Sequence, residues 1–273
     1  NNIVCADAVI YEQNTDVTSA TLVVRNEDAE KVKIPSIVSK VCGNKMVVAD
    51  SVASSRSGYR VLTLKTAPKY DVIFGSSSCT KEGSEKSGDC FSLIRIENDK
   101  FMFALCDGMG SGEKAEKASS LAIGLIENFY KAGFDNDIIL SSVNKLLSLN
   151  REEVFSALDI CVMDLKQGIA DFIKMGAPNS FIKHESEISM VESGALPLGI
   201  VQVAPPAINK TVLSTGDYVF LCTDGITDSF ESNEKLKEFI NNLKATNPQT
   251  LAETLVEKAV ENSGGSAGDD MTV

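Results

Sequence analysis

The chain has 273 residues, 43% of them apolar, with no Trp and a formal net charge of −12. That length allows one large domain, or a domain with a smaller module. No apolar run approaches the ~18 residues of a membrane helix, nothing at the start resembles a signal peptide, and so acidic a body argues against nucleic acid and anionic membrane as partners.

The acidity is uneven. Residues 1–68 carry 8 Lys+Arg and 7 Asp+Glu, while the remainder carries 18 and 31. Such a body suits cation binding, although acidity by itself mainly confers solubility. Seven cysteines, an odd number with no C-x-x-C pair, read as buried thiols in a reducing compartment. The chain opens on Asn, so it reads as part of a longer protein. A membrane anchor would then lie upstream, with this part at the cytoplasmic face.

Residues 1–68 show strand-like runs at Ile3–Tyr11, Ala20–Arg25 and Tyr59–Leu64. Between them Pro35–Cys42 predicts a helix stopped by Gly43-Asn44. This is a small α/β module with no cluster of ligand-type residues, a regulatory or linker piece ending near Ala67-Pro68. A second domain then spans residues 69–273.

In that domain residues 70–78 predict a strand, and the Ser/Gly/Lys-rich stretch from Gly75 to Gly88 a loop. Phe91–Ile96 and Lys100–Cys106 predict a strand pair around the turn Asn98-Asp99. A helix follows from Glu113 to about Lys131, with Ala115, Ala118, Leu121, Leu125 and Phe129 as its apolar stripe and Gly133 as its stop. A second helix covers Ile138–Asn150. Strands are predicted at Ser156–Met163 and Ile169–Met175, a hairpin at Phe181–Lys183 and Ile188–Glu192, and strands at Lys210–Leu213 and Asp217–Cys222 around Thr215-Gly216. Helices close the chain at Asn233–Leu243 and Pro248–Asn262, the last with Asn247 as N-cap and Pro248 at its first position. The lone histidine, His184, falls at a hairpin tip and reads as a solvated surface residue. Antiparallel strands interrupted by paired helices predict an α+β fold, an α-β-β-α sandwich.

The chemistry concentrates in aspartates. Phe101-Met-Phe-Ala-Leu-Cys-Asp-Gly108 is an apolar strand that delivers Asp107 to a glycine turn. Asp217–Gly225 repeats the device with Asp224, and Asp269-Asp270 stands just before Met-Thr-Val273. Asp89 sits in Ser87-Gly-Asp-Cys-Phe91. One Asp-Gly is a plain turn, but several carboxylates at strand ends form the oxygen-ligand chemistry of Mg²⁺ and Mn²⁺. Without a cation they would repel one another. Side chains alternate along a strand, so Cys106 and Cys222 are expected to face the core when the neighbouring aspartates face the site.

Asp107-Gly-Met-Gly-Ser-Gly112, Thr223-Asp-Gly-Ile-Thr-Asp228 and Asp269-Asp-Met-Thr-Val273 resemble the motifs of metal-dependent serine/threonine phosphatases of the 2C type. With Ser87–Phe91 and Leu196-Pro-Leu-Gly199, they are similar to the bacterial branch typified by stage II sporulation protein E. The resemblance implies two Mn²⁺ or Mg²⁺ ions about 3.5–4 Å apart that activate a water for in-line attack on phosphorus. It implies that Asp107 bridges the ions, that the Gly108 carbonyl helps hold one, and that Asp224 and Asp269 hold the other. Asp107 and Asp224 are thus its catalytic pair. Asp89 would act through bound waters. Asp228 and Asp270 are accessory candidates, with Asp228 expected to cap the next helical turn.

The resemblance further implies a phosphorylated regulatory protein as substrate, of the anti-sigma-factor antagonist class, and a regulated dimer. Separately, Gly110, Ser111 and Gly112 either form a switch that links the bridging aspartate to the following helix or merely let the chain turn tightly. Two positions depart from the animal members. Met109 stands where they have a histidine, and Lys81 and Lys86 are the cations nearest to where they have an arginine. Two readings of other classes stand beside this one. A catalytically silent module would use the acidic groove for protein contact only, and the full aspartate set argues against it. A haloacid-dehalogenase-like phosphohydrolase would need Asp-x-Asp-x-Thr after an early strand, and none occurs.

Overall fold

A computed structural model of the chain describes residues 3–13, 16–96, 99–110, 112–148, 155–192, 194–200, 207–244 and 246–273. It divides into two compact units, residues 1–69 and 70–273.

In the first unit the elements are β1 (Cys5–Gln13), β2 (Asp16–Arg25), α1 (Asn26–Ala29), α2 (Lys33–Cys42), β3 (Met46–Ala53) and β4 (Tyr59–Thr66). The strands form one antiparallel sheet in the order β1-β2-β4-β3. Helix α2 buries Ile34 and Val38, one turn apart, against Ala20, Val24, Met46, Leu62 and Leu64. It stops at Gly43, whose φ of +74° is left-handed. The sequence does not announce β3. Its register shifts between Val48 and Asp50, and that irregularity breaks the two-residue alternation that marks a strand.

The second unit runs β5 (Ser78–Cys79), β6 (Asp89–Ile96), β7 (Lys100–Gly108), α3 (Glu113–Lys131), α4 (Asn136–Ser148), β8 (Ser156–Asp164), β9 (Ile169–Met175) and β10 (Ser180–His184). It continues through β11 (Glu187–Val191), β12 (Ala207–Val212), β13 (Tyr218–Phe220), α5 (Asp224–Thr227), α6 (Asn233–Asn242), α7 (Pro248–Asn262) and β14 (Met271–Thr272). A five-stranded sheet in the order β12-β9-β8-β7-β6 faces a three-stranded sheet, β11-β10-β13.

Three apolar layers hold this unit together. Helices α3 and α4 pack on the outer face of the five-stranded sheet through Ala122, Ile126, Ile139 and Val143 against Met102, Ala104, Leu158 and Ile160. Leu105, Phe172, Ile182 and Leu221 fill the space between the sheets. Helices α6 and α7 cover the other sheet through Leu236, Ile240, Leu251 and Leu255 against Phe181 and Phe220. This is the α-β-β-α sandwich, and among the described residues no helix is long and apolar enough to cross a membrane.

Several expectations need correction. Residues 70–77 form no strand. Only Ser78–Cys79 pairs, with β14, while the Ser76 backbone bonds to the Gln249 side chain and Ser77 to the Val273 backbone. The buried row of α3 is Ala115, Ala118, Ala122, Ile126 and Tyr130 with Ser119 and Ile123. Leu121 faces solvent at 50% exposure. Strands β12 and β13 flank Thr215-Gly216 as expected, but β13 is confined to Tyr218–Phe220, and each joins a different sheet. Asp228 does not cap the following helix. It ends α5, and Ser232 caps α6 by accepting from the Lys235 N–H. Asn98 of the predicted turn, Asn150 at the end of the second predicted helix, and Ser111 lie outside the described residues.

Candidate active site

Strands β6 and β7 pair so that Asp89 lies directly opposite Asp107. Leu105, two residues before Asp107, points between the sheets, so both carboxylates share that inner face. Like charges directly opposite on a ladder are unfavourable. Asp224, the first residue of α5, is hydrogen-bonded to Asp107. The Asp107 carboxyl is pushed up to about 9, first by burial and then by Asp89, Asp224 and Asp269. Asp89 is raised to about 6, chiefly by burial, with Asp270 and Asp224 adding to it. Asp224 is raised by burial, then by Asp269 and Asp228.

Glycines permit these close approaches. A Cβ on Gly108 would stand 2.3 Å from the Ala115 carbonyl oxygen in the first turn of α3. One on Gly225 would stand 2.2 Å from the Asp270 carbonyl oxygen. Gly110 and Gly112 both adopt left-handed φ values, +93° and +83°, and carry the chain from β7 into α3. Met109 is 64% exposed at the rim, its N–H bonded to the Phe155 carbonyl.

The adjacent pair Asp269-Asp270 divides its labour. Asp270 is buried and accepts from the Lys81 N–H at 2.9 Å and the Gly88 N–H at 2.7 Å. Asp269 is exposed, accepts from the Asp270 N–H, and stands 3.6 Å from the Lys81 ammonium. Lys86 turns instead to Glu116 at 2.6 Å. Asp228 is exposed beside Asp224 and contributes only charge. His184 lies at the opposite end of β10 from Ser180, hydrogen-bonded to Asp217, which raises its pKa. The sequence left His184 without a partner and the structure supplies one, far along the sheet from the aspartates.

Two functional contacts escaped the sequence. The Thr223 hydroxyl donates to Asp89 Oδ2 at 3.1 Å and accepts from the Thr272 N–H, tying three chain segments together. A threonine before a short helix ordinarily suggests an N-cap, but this one makes no capping bond. The other is the bonding of Asp270, named from the sequence only as an accessory candidate, to the Lys81 and Gly88 N–H groups. Cys106 and Cys222 face the core as expected and are buried.

The donor set fits a hard divalent cation. The carboxylates of Asp89, Asp107, Asp224, Asp269 and Asp270 act on one another, and Asp89 Oδ1 is buried without a partner among the described residues. Among those residues no three His, Cys, Asp or Glu side chains already close around a single point.

Residues 97–273 match the stage II sporulation protein E (SpoIIE) family. The chain belongs to that family. It is 29% identical over 269 residues to stage II sporulation protein E of Bacillus subtilis, covering 97% of this chain and 32% of that protein, so it spans about a third of the relative's length. A structure of the PP2C phosphatase domain and a fragment of the regulatory domain of SpoIIE from Bacillus subtilis matches with a TM-score of 0.77 and 27% identity. That match covers 100% of this chain and 82% of that one. The serine/threonine phosphatase PstP/Ppp of Mycobacterium tuberculosis shares the fold alone, at TM-score 0.60 and 17% identity, over 73% of this chain and 95% of that one. The second unit of this SpoIIE-family chain therefore has the 2C-type phosphatase fold.

Proposed function

We propose that this SpoIIE-family chain removes phosphate from phosphoserine or phosphothreonine of a regulatory protein, of the anti-sigma-factor antagonist class. The carrying observation is the Asp107 carboxyl, opposite Asp89, bonded to Asp224 and raised to about 9. Asp107, the Gly108 carbonyl, Asp224 and Asp269 would hold two Mn²⁺ or Mg²⁺ ions, with Asp89 reaching them through water. When bound, such ions supply Lewis acidity to a water and to the phosphoryl oxygens. Without them Asp107 retains its proton against Asp224. Thr223 holds Asp89 by Oδ2 and leaves Oδ1 free to accept from a water. Asp270, engaged with two backbone N–H groups, fixes the loop from Lys81 to Gly88 instead of joining the ligands.

Residues 1–69 are the end of a regulatory module, and the match of the whole chain to a phosphatase domain with a regulatory fragment supports this. Gly110, Ser111 and Gly112 are the proposed switch between the bridging aspartate and α3. A dimer and an upstream membrane anchor at the cytoplasmic face complete the proposed setting. The test is Mn²⁺-dependent phosphate release from a phosphoserine peptide by the wild-type chain and by Asp107→Asn. Metal-dependent turnover that the variant lacks is expected. Equal turnover in both would overturn the assignment of Asp107.

A further inference from the structure

Within the sandwich, close to the aspartates, lies a second charged group that the proposed reaction does not use. Lys174 and Ser180 are fully buried and Asp159 is 1% exposed. Lys174 Nζ donates to Asp159 Oδ2 at 2.5 Å and to Ser180 Oγ at 2.6 Å. The Ser180 hydroxyl donates to the same Asp159 oxygen. Taking an ion pair out of water is costly, and apolar side chains of similar volume often serve stability as well or better. Stability alone therefore does not account for the triad.

Its place in the fold does. Asp159 pairs with Leu105 on β7 and with Lys174 on β9. Ala157, two residues earlier and on the same face, pairs with Asp107. Asp159 thus sits one pleat from Asp107, on the same inner face. Ser180 belongs to the other sheet. It opens β10, whose next residue, Phe181, pairs with Phe220 of β13. The chain runs from Phe220 through Leu221, Cys222 and Thr223 to Asp224. The triad therefore crosses from the sheet that carries Asp107 to the sheet that delivers Asp224. The packing around it (Leu105, Phe172, Ile182, Leu221) can slide, because apolar contact is non-directional. Hydrogen bonds to a buried charge cannot slide without leaving that charge unpaired.

We propose that Asp159, Lys174 and Ser180 are positioning residues, a buried strut between the sheets that holds Asp107 and Asp224 at the spacing the cations require. This rests on the two-cation reading of the site. Partners that orient ligands affect metal affinity about 10–100-fold.

The test is calorimetric Mn²⁺ titration paired with thermal melting in chelator, on the whole chain. Ser180→Ala cuts the arm between the sheets and spares the Lys174–Asp159 pair. The double variant Asp159→Val with Lys174→Met removes both charges together. Both are expected to melt cooperatively in chelator and to bind Mn²⁺ about 10–100-fold more weakly than wild type. A merely structural role would lower the melting temperature and leave the affinity of the folded variant within about twofold, and that result overturns the proposal. Failure of both variants to fold would also overturn it, because the triad would then be a stability element. A wild-type chain that binds no Mn²⁺ would overturn the two-cation reading itself. Wild-type binding with unchanged variants overturns only the positioning role.

Discussion

The Asp270 carboxylate accepts a hydrogen bond from the Gly88 N–H at 2.7 Å, across 182 residues of chain. Its other oxygen takes the Lys81 N–H, so one buried side chain pins both ends of the loop before β6. Asp270→Ala leaves two backbone donors without a charged acceptor, and is expected to cost about 3 kcal/mol or more. Asp269 is exposed, so Asp269→Ala is expected to change stability by no more than about 0.5 kcal/mol. It would nonetheless weaken Mn²⁺ binding. Urea unfolding in chelator and calorimetry on the two variants separate the roles. A stability loss in Asp269→Ala equal to that in Asp270→Ala would contradict the division.

The carboxylates also dictate how the cation-free protein responds to pH. Asp89 is raised to about 6 and Asp107 to about 9, from an ordinary value of 3.8. At pH values below the ordinary value, folded and unfolded chains both keep these protons. As pH rises, the unfolded chain releases them first, so the fold loses stability up to about 6 for Asp89 and about 9 for Asp107. In chelator the melting temperature is expected to fall by on the order of 10–20 °C between pH 5 and pH 8.5, at about 1.4 kcal/mol per pH unit for each carboxyl still protonated only in the fold and roughly 3 °C per kcal/mol. Asp107→Asn should flatten that slope, and Mn²⁺ should restore the melting temperature by mass action. An unchanged slope in the variant would show that other groups govern the response.

Much of this was legible in the sequence, for physical reasons that also set the limits. An apolar run ending in Asp-Gly followed by a four-residue apolar period is enough to place β7 and α3. The period does not say which of two adjacent apolar rows faces the sheet, and Ala122 is buried where Leu121 is not. Asp269 and Asp270 are chemically identical in sequence. Only the folded loop, by presenting two N–H groups, shows which one is claimed internally. Asp159, Lys174 and Ser180 are spread over residues 159–180 and read as ordinary surface types. Their meeting depends on the facing of two sheets, which no local pattern encodes.

The seven cysteines sort by depth. Cys106 and Cys222 are buried in the helix-covered cores and Cys161 between the sheets, and burial pushes all three thiols well above their usual value. Cys5 is exposed, while Cys42, Cys79 and Cys90 are half-buried. Because the thiolate is the reactive form, a maleimide under native conditions is expected to modify Cys5 first. It should leave Cys106, Cys161 and Cys222 untouched until the fold opens. Peptide mass spectrometry over a time course checks the order, and early labelling of Cys222 would contradict the packing beneath Asp224.

Two glycines near the same helix should respond in opposite directions. Gly108 ends β7 with its Cα against the first turn of α3, where a methyl group would lie 2.3 Å from the Ala115 carbonyl oxygen. Gly108→Ala must move α3 or the strand end. Overpacking of this kind costs about 1–3 kcal/mol, and here it also displaces Asp107. Gly124 lies inside α3, and a methyl group placed there would have nothing within 4 Å. There Ala removes the backbone entropy penalty, so Gly124→Ala is expected to stabilise by about 0.5–1 kcal/mol and leave Mn²⁺ binding intact. Thermal melts and Mn²⁺ titrations of the two variants give the comparison. Gly108→Ala with wild-type melting and wild-type Mn²⁺ affinity would show that the strand end and α3 are not in the close contact on which the site is built.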